Sequence, residues 1–381
     1  MIYADHAATS AMSKAAINAM LPYFSELFSN PSALYGAGTE ARRAVETARK
    51  TIASCINATP EQVIFTSCGT ESNNWVLRCA GRQKSSRVIV TSPIEHHAIL
   101  HTCRALASCG TEIRYLPVDG NGVVKTTKID DILKDADLVS VMTANNEIGT
   151  IEPIESLART AHSAGALFHS DAVQAVGHIP VDVQRMQVDF LSASAHKFNG
   201  PKGIGFLFVR EPERFSPLLY GGGQEFGLRS GTENVPAIVG MAAALQENCA
   251  SMKRSAAHAN TLSHIVVDIL SDSIPGVCFN GDDQRIPGSI SVAVPGIKAE
   301  AMLHYLDLHC ICISSGSACN SSSTQISHVL QAIGLPDNLA LGTLRITFGT
   351  ENTEDDAKQV AGYIVKGYEK LIGKRKIGNE L

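Results

Sequence analysis

Long apolar runs are absent from this chain: none approaches the roughly 18 residues needed to cross a bilayer, so no membrane span is expected. A one-sided charge balance is absent too. The 32 basic and 37 acidic residues leave a formal net charge of −5, which offers no electrostatic footing for nucleic acid. Lysine and arginine are scattered, and their densest run, Lys374-Arg375-Lys376, reads as a solvated tail. The opening Met1-Ile2-Tyr3-Ala4-Asp5-His6 has no basic patch followed by an apolar stretch, so no export signal is expected. Internal repeats and low-complexity tracts are missing as well. Cysteine is not scarce, at ten residues, but there is neither an export signal nor a short scaffold to staple. That combination points to a reducing, cytoplasmic setting, with most cysteines as small buried hydrophobes.

What is present is material for a core. With 44% hydrophobic residues among 381, the chain can build two domains. Ala41, Val45, Ala48, Ile52 and Ile56 recur at helical steps, which predicts a helix over 40–57. Strand and helix patterns then alternate: strands at 62–66, 87–91, 112–116, 137–143, 166–170, 188–193 and 204–209, helices at 70–80, 97–109 and 153–164. Short apolar strands separated by helices predict a mostly parallel sheet covered on both faces. A long helix over 235–270 follows, then a strand at 289–294, a helix at 299–308, a strand at 344–348 and a final amphipathic helix through Val360 and Leu371. The reading is an α/β domain over 13–250 and a smaller α+β domain over 251–381, with residues 1–12 packing on the second.

Five stretches carry candidate chemistry. In Ser194-Ala195-His196-Lys197-Phe198-Asn199-Gly200, a strand ends in a lysine beside a turn. Such a lysine can form a Schiff base with an aldehyde cofactor, and Ser194 and His196 can donate to a phosphate. The plain alternative is a surface lysine before a hairpin. In Phe168-His169-Ser170-Asp171-Ala172-Val173-Gln174, an acid follows an apolar strand, where a parallel sheet opens its ligand crevice. Pyridoxal phosphate (PLP) needs a carboxylate at its ring nitrogen, because the protonated ring is the better electron sink. Asp171 can supply it, and Gln174 can reach the ring hydroxyl; the alternative is a helix cap. In Thr66-Ser67-Cys68-Gly69-Thr70-Glu71, a strand turns into a helix whose N-terminus suits a phosphate.

Glu95-His96-His97-Ala98-Ile99-Leu100-His101 invites a metal reading, but no HExxH pattern or third ligand accompanies it, so no metal is expected. His96 can instead stack on a cofactor ring and shuttle protons. Ser314-Ser315-Gly316-Ser317-Ala318-Cys319-Asn320 sets a cysteine among small polar residues without apolar periodicity, which predicts a mobile, exposed nucleophile. Cys310, Cys312 and Cys319 match no metal spacing. The glycine-rich segments near 221 and 203 lack the setting of a dinucleotide or Walker motif.

Together and in this order, these stretches resemble the cysteine desulfurases of the NifS/IscS type. The likeness runs from Asp5-His6-Ala7-Ala8-Thr9 to about Phe348 and is most specific at Asn145-Asn146-Glu147-Ile148-Gly149, at the Lys197 turn, at Arg229-Ser230-Gly231-Thr232 and at the Cys319 stretch. The resemblance implies fold type I of PLP enzymes, with a large domain built on a mostly parallel seven-stranded sheet flanked by helices, and a homodimer. It implies Lys197 as the Schiff-base lysine, Asp171 at the pyridine nitrogen, Gln174 and Asn146 at the ring hydroxyl and substrate, and His96 stacked on the ring. Gly69, Thr70, Ser194 and His196 correspond to the phosphate cradle, with Thr232 reaching it from the other subunit. Cys319 corresponds to the persulfide cysteine. Arg345 corresponds to the arginine on the substrate carboxylate, a task suited to a planar guanidinium. Cys68 departs from the pattern, standing where glycine is usual.

The activity so implied converts L-cysteine to alanine and leaves a persulfide on Cys319. A sulfur acceptor would then take it, either a scaffold for Fe–S cluster assembly or a tRNA or cofactor thiolation enzyme. Two other readings stay open at this point. One is another PLP enzyme of the same fold, a selenocysteine lyase or small-molecule aminotransferase, with Cys319 incidental. The other is a sulfur-carrier or scaffold protein without turnover.

Overall fold

Runs such as Val63–Thr66, Val88–Thr91 and Gly205–Val209 bury every residue, as strands covered on both faces must. The computed structural model describes residues 1–79, 87–315 and 326–378, with side chains as far as 373. Among the described residues, seven strands form the main sheet in the order Val63–Thr66, Gly205–Val209, Phe190–Ser194, Leu167–Asp171, Leu138–Ser140, Val88–Thr91, Glu112–Tyr115. Gly205–Val209 runs against both of its neighbours, and the other strands share one direction. The edge strand Glu112–Tyr115 is only partly covered.

The strand expected over 137–143 is assigned only to Leu138–Ser140. Its ladder nevertheless continues, because Val141 and Thr143 donate to His169 and Asp171 carbonyls at 3.1 and 2.8 Å. The helix expected at 40 starts earlier, as Gly36–Cys55, and buries Ala41, Val45, Ala48 and Ile52 along one face. Five-residue and shorter elements, such as the strand Cys278–Asn280 and the helix His328–Ala332, left no periodicity to read.

The helix Val235–Ser273 joins two cores. Asn234 caps it through Ala237 N, and Pro236 occupies its first turn. Its first turns pack into the core of the main sheet through Ile238, Met241 and Leu245. Its last turns pack Leu262, Val266 and Leu270 against a second, antiparallel sheet of Ser314–Ser315, Thr343–Thr347, Ser289–Ala293 and Cys278–Asn280.

The first thirteen residues tie the sheets together. Ile2–Tyr3 pairs with Ile311–Cys312, and Asp5 bridges Thr347. Ser10 N and Ser13 N then donate to the carbonyls of His196 and Asn199, on the Lys197 turn. No described helix is long and apolar enough to cross a membrane.

Candidate active site

A cavity of about 260 Å³ opens beyond the C-terminal ends of the parallel strands. Gly69, Thr70, His96, Asn146, Asp171, Gln174, Ser194, His196, Lys197 and Arg345 all line it. Thr232 is exposed and lines no part of its own chain's cavity. Cys319 lies outside the described residues.

Two neighbouring strands set the chemistry. Asp171 ends Leu167–Asp171, and Lys197 follows Phe190–Ser194 in the short turn Ala195–Lys197. Asp171 is 5% exposed; its Oδ2 accepts from Asn73 Nδ2 at 2.6 Å and its Oδ1 from Val173 N at 3.0 Å. The Val173 contact is the local cap the sequence allowed, but turns rather than a helix follow it. Lys197 is no surface residue. Its Nζ donates to the carbonyls of Ala7 and Ala8 at 2.6 and 2.9 Å, and Gln174 Nε2 also donates to Ala7 O, at 3.0 Å.

At one end of the cavity the helix Gly69–Cys79 begins, which brings the positive end of a helix dipole there. A Cβ at position 69 would lie 2.5 Å from Val173 Cγ2 and 3.7 Å from Ser194 Cβ, so only glycine lets the helix start this close. Glu71 in its first turn accepts from Ser67 N at 2.8 Å and from Arg229 Nε at 2.9 Å. Burial alone would raise the Glu71 carboxyl, but these bonds hold it below its usual range. Cys68 is half-buried on the cavity wall, and its backbone packs against Gly205, where any side chain would collide.

The imidazoles of the site are kept neutral. Burial lowers His96 despite the Asp171 charge, and burial with Lys197 and Lys202 brings His196 down to about 4. His96 caps the helix His97–Ala107: its Nδ1 accepts from Ala98 N at 3.1 Å, which leaves the ring proton on Nε2. His97 stacks on His101 at 4.7 Å and packs on His328 at 4.9 Å. Among the described residues, no group of three or more His, Cys, Asp or Glu is arranged to hold a metal.

Also on the cavity wall, Arg345, 3% exposed, donates from Nη1 to Asn146 O at 3.0 Å and from Nη2 to Asp5 Oδ1 at 2.8 Å, and its Nε has no hydrogen-bond partner among the described residues. Sequence reasoning assigned no role to Asp5 or Asn73. Asp5 lies within a quoted motif, but Asn73 carried no signal, since an asparagine inside a helix usually faces solvent.

A lysine and an aspartate at adjacent strand ends, facing a helix N-terminus across one crevice, define an aminotransferase-like α/β protein with its ligand site at the strand ends. Residues 2–360 match the family model for class-V aminotransferases. The chain is 43% identical over 374 residues to the cysteine desulfurase IscS of Dictyoglomus turgidum, covering 97% of this chain and 95% of that protein. A solved NifS-like protein superposes with a TM-score of 0.90 at 36% identity, covering 98% of this chain and 99% of that one. A structure described as SspA in complex with cysteine gives a TM-score of 0.81 at 33% identity, covering 93% and 100%. The chain belongs to the class-V aminotransferase family and, within it, to the NifS/IscS-like cysteine desulfurases.

Proposed function

We propose that this chain removes sulfur from L-cysteine, releasing alanine and leaving a persulfide on Cys319 for transfer to an acceptor. The observation that carries the reading is the Lys197 amine and the buried Asp171 carboxylate in one cavity, at the ends of adjacent strands. The donor set fits pyridoxal phosphate. Asn73, 1% exposed and bonded to Asp171, has an Oδ1 without a partner among the described residues, and Gly69 puts no side chain at the helix N-terminus. Lys197 would hold the cofactor's aldehyde carbon, Asp171 its ring nitrogen, and His96 its ring face. Gln174 and Asn146 would contact its hydroxyl and the substrate. Gly69, Thr70, Ser194 and His196 would cradle the phosphate, with Thr232 of a second copy completing it.

When bound, the cofactor supplies an electron sink for charge developing at the substrate Cα. Arg345 holds the substrate carboxylate and so orients the Cα–H bond toward Lys197. The Lys197 amine, freed when the substrate's own amine displaces it from the aldehyde carbon, would then take the Cα proton. The Cys319 thiolate attacks the substrate sulfur, and the Cβ that sulfur leaves is reprotonated with help from His96 Nε2–H.

A large domain over 13–250 and a small one over 251–381, with residues 1–12 on the latter, is supported by one hydrophobic cluster under the main sheet and another, which includes Ala4, under the antiparallel sheet. A homodimer is supported by Phe28, Leu34 and Tyr220, which are 73%, 94% and 83% exposed. A reducing cytoplasmic setting is supported by the free thiols of the nine described cysteines. The acceptor would be an Fe–S scaffold or a thiolation enzyme.

The test is incubation of the purified protein, loaded with pyridoxal phosphate, with cysteine, followed by assay of alanine and of protein persulfide by mass. Alanine and a persulfide on the Cys319 peptide are expected. Bound cofactor without alanine would favour another enzyme of the same fold.

A further inference from the structure

The Lys197 turn is held by donors from outside it. His196 O accepts from Ser10 N and Ser10 Oγ at 2.9 and 2.8 Å, and Asn199 O accepts from Ser13 N at 2.9 Å. Between them, His178 Nε2 donates to the carbonyl of Lys197 itself at 2.9 Å, and Asn248 Nδ2 donates to that of Phe198 at 2.6 Å. The consecutive carbonyls of 196–199 are thus all tied, and the donors come from separate stretches of chain.

Packing alone does not fix this turn. A second cavity, of about 60 Å³, meets it and is lined by His6, Ser10, His178, Asn199 and Asn248, while Lys197 lines both this cavity and the active-site one. Atoms that border a void have no neighbours there to resist displacement, so the hydrogen bonds carry the direction of the turn.

The two side-chain donors are themselves well placed. His178 follows Asp171 and Gln174 on one stretch, and its N donates to Ala175 O at 3.0 Å. Gly177, just before it, has a φ of +81°, and a Cβ there would lie 2.6 Å from Phe198 Cβ, so glycine lets this stretch approach the turn. Burial holds the half-buried His178 ring below its ordinary value, with His6 and Lys197 acting in the same direction against the pull of the Lys197 carbonyl. A neutral ring facing a carbonyl through Nε2 carries its proton there. Asn248 lies in the helix Val235–Ser273, whose first turns are buried in the core of the main sheet. The grip of His178 on the Lys197 carbonyl links the stretch that carries Asp171 to the turn that carries the amine.

We infer that His178 and Asn248 are positioning residues for Lys197, which aim its amine at the substrate Cα through the backbone of the turn. Neither lines the active-site cavity, so each acts through the carbonyl it holds. The inference rests on the reading in which that amine moves the Cα proton. Loss of either donor strips a carbonyl of its partner and lets the turn settle elsewhere.

The experiment compares the full-length protein, loaded with pyridoxal phosphate, with its variants His178→Leu, His178→Gln and Asn248→Ala. Alanine release per bound cofactor and the pH midpoint of the bound cofactor's absorbance are read for each. In His178→Leu and Asn248→Ala, kcat is expected to fall about tenfold while KM stays within about twofold, because the amine is misplaced and the substrate contacts are intact. The absorbance midpoint is expected to move in both, since it reports how the Lys197 nitrogen sits on the cofactor. His178→Gln keeps an N–H donor and is expected to recover kcat to within about threefold of the parent. A merely structural role would lower the fraction of loaded protein and leave both readouts per bound cofactor unchanged. Unchanged readouts in His178→Leu, or a His178→Gln no better than His178→Leu, overturn the role of His178, and unchanged readouts in Asn248→Ala overturn that of Asn248. Alanine favours the helix at position 248, so Asn248→Ala decides the proposal even where His178→Leu does not fold. Shifted midpoints in the variants, with no alanine from the parent, would leave the positioning role standing and overturn the desulfurase reading instead.

Discussion

Arg345 Nη2 donates to Asp5 Oδ1 at 2.8 Å, joining the two ends of the sequence beside the active-site cavity. Asp5 is also held by Ser314 Oγ at 3.2 Å and by its bridge to Thr347. The guanidinium is 3% exposed, so Asp5 neutralises a charge that water barely reaches before substrate arrives. Removing one partner of such a pair leaves an uncompensated buried charge. Asp5→Ala is therefore expected to lower unfolding stability by about 3 kcal/mol. Urea unfolding of the substrate-free protein checks this, and an unchanged midpoint would mean that Arg345 is solvated in solution.

Lys197 is anchored by two backbone carbonyls, at Ala7 and Ala8, from the segment that also carries Asp5. Those contacts aim the amine but contribute little to the core, which is apolar around Ala193, Ala195 and Phe198. Lys197→Ala is expected to leave far-ultraviolet circular dichroism unchanged. Alanine release should fall by about a hundred- to ten-thousandfold, the range for loss of a positioned proton-transfer group. Retained activity would remove Lys197 from the reaction.

Asn73 acts on the cofactor site through Asp171, whose Oδ2 it holds at 2.6 Å. Without that donor the carboxylate loses one of its two fixed contacts, the other being Val173 N. Asn73→Ala is expected to lower kcat about tenfold with little change in KM, since a bond to a charged group is worth about 1.5–3 kcal/mol. The pH dependence of the bound cofactor's absorbance should move as well. A change in KM alone would place Asn73 at the substrate instead.

How far the sequence could be read follows from these residues. Lys197 and Asp171 were legible because each closes an apolar strand with a polar side chain, and a parallel sheet gathers such ends at one edge. The helix Val235–Ser273 was legible through its length, though its Asn234 cap and first-turn Pro236 emerge only in the structure. Asn73 was not, because its burial depends on Val63–Thr66 and Gly205–Val209 coming to lie beside Phe190–Ser194, a pairing across more than a hundred residues of chain. Asp5 was quoted without a role for the same reason: its partner is 340 residues away. Thr232, expected to reach a second copy's site, could be placed only on its own chain, where it is exposed.

Glu152 is 4% exposed; its Oε2 accepts from Val124 N at 2.8 Å, while its Oε1 has no partner among the described residues. Burial pushes its carboxyl from the usual 4.5 up to about 8, with Asp119 and Asp282 adding to the rise. Glu147, bonded to Ser327 Oγ, is raised to about 7 by burial in the same way. The folded state therefore binds protons that the unfolded chain has already released. This contribution is fully present below about pH 4.5 and is lost as the pH rises through about 8. Glu152→Gln keeps an acceptor for Val124 N and cannot ionise. The variant should match the parent near pH 5 and exceed it at pH 8 by about 3 kcal/mol, an order-of-magnitude figure from the size of the shift. Urea unfolding of both proteins at the two pH values decides it, and a difference that does not change with pH would mean that Glu152 is ionised in the folded protein at both.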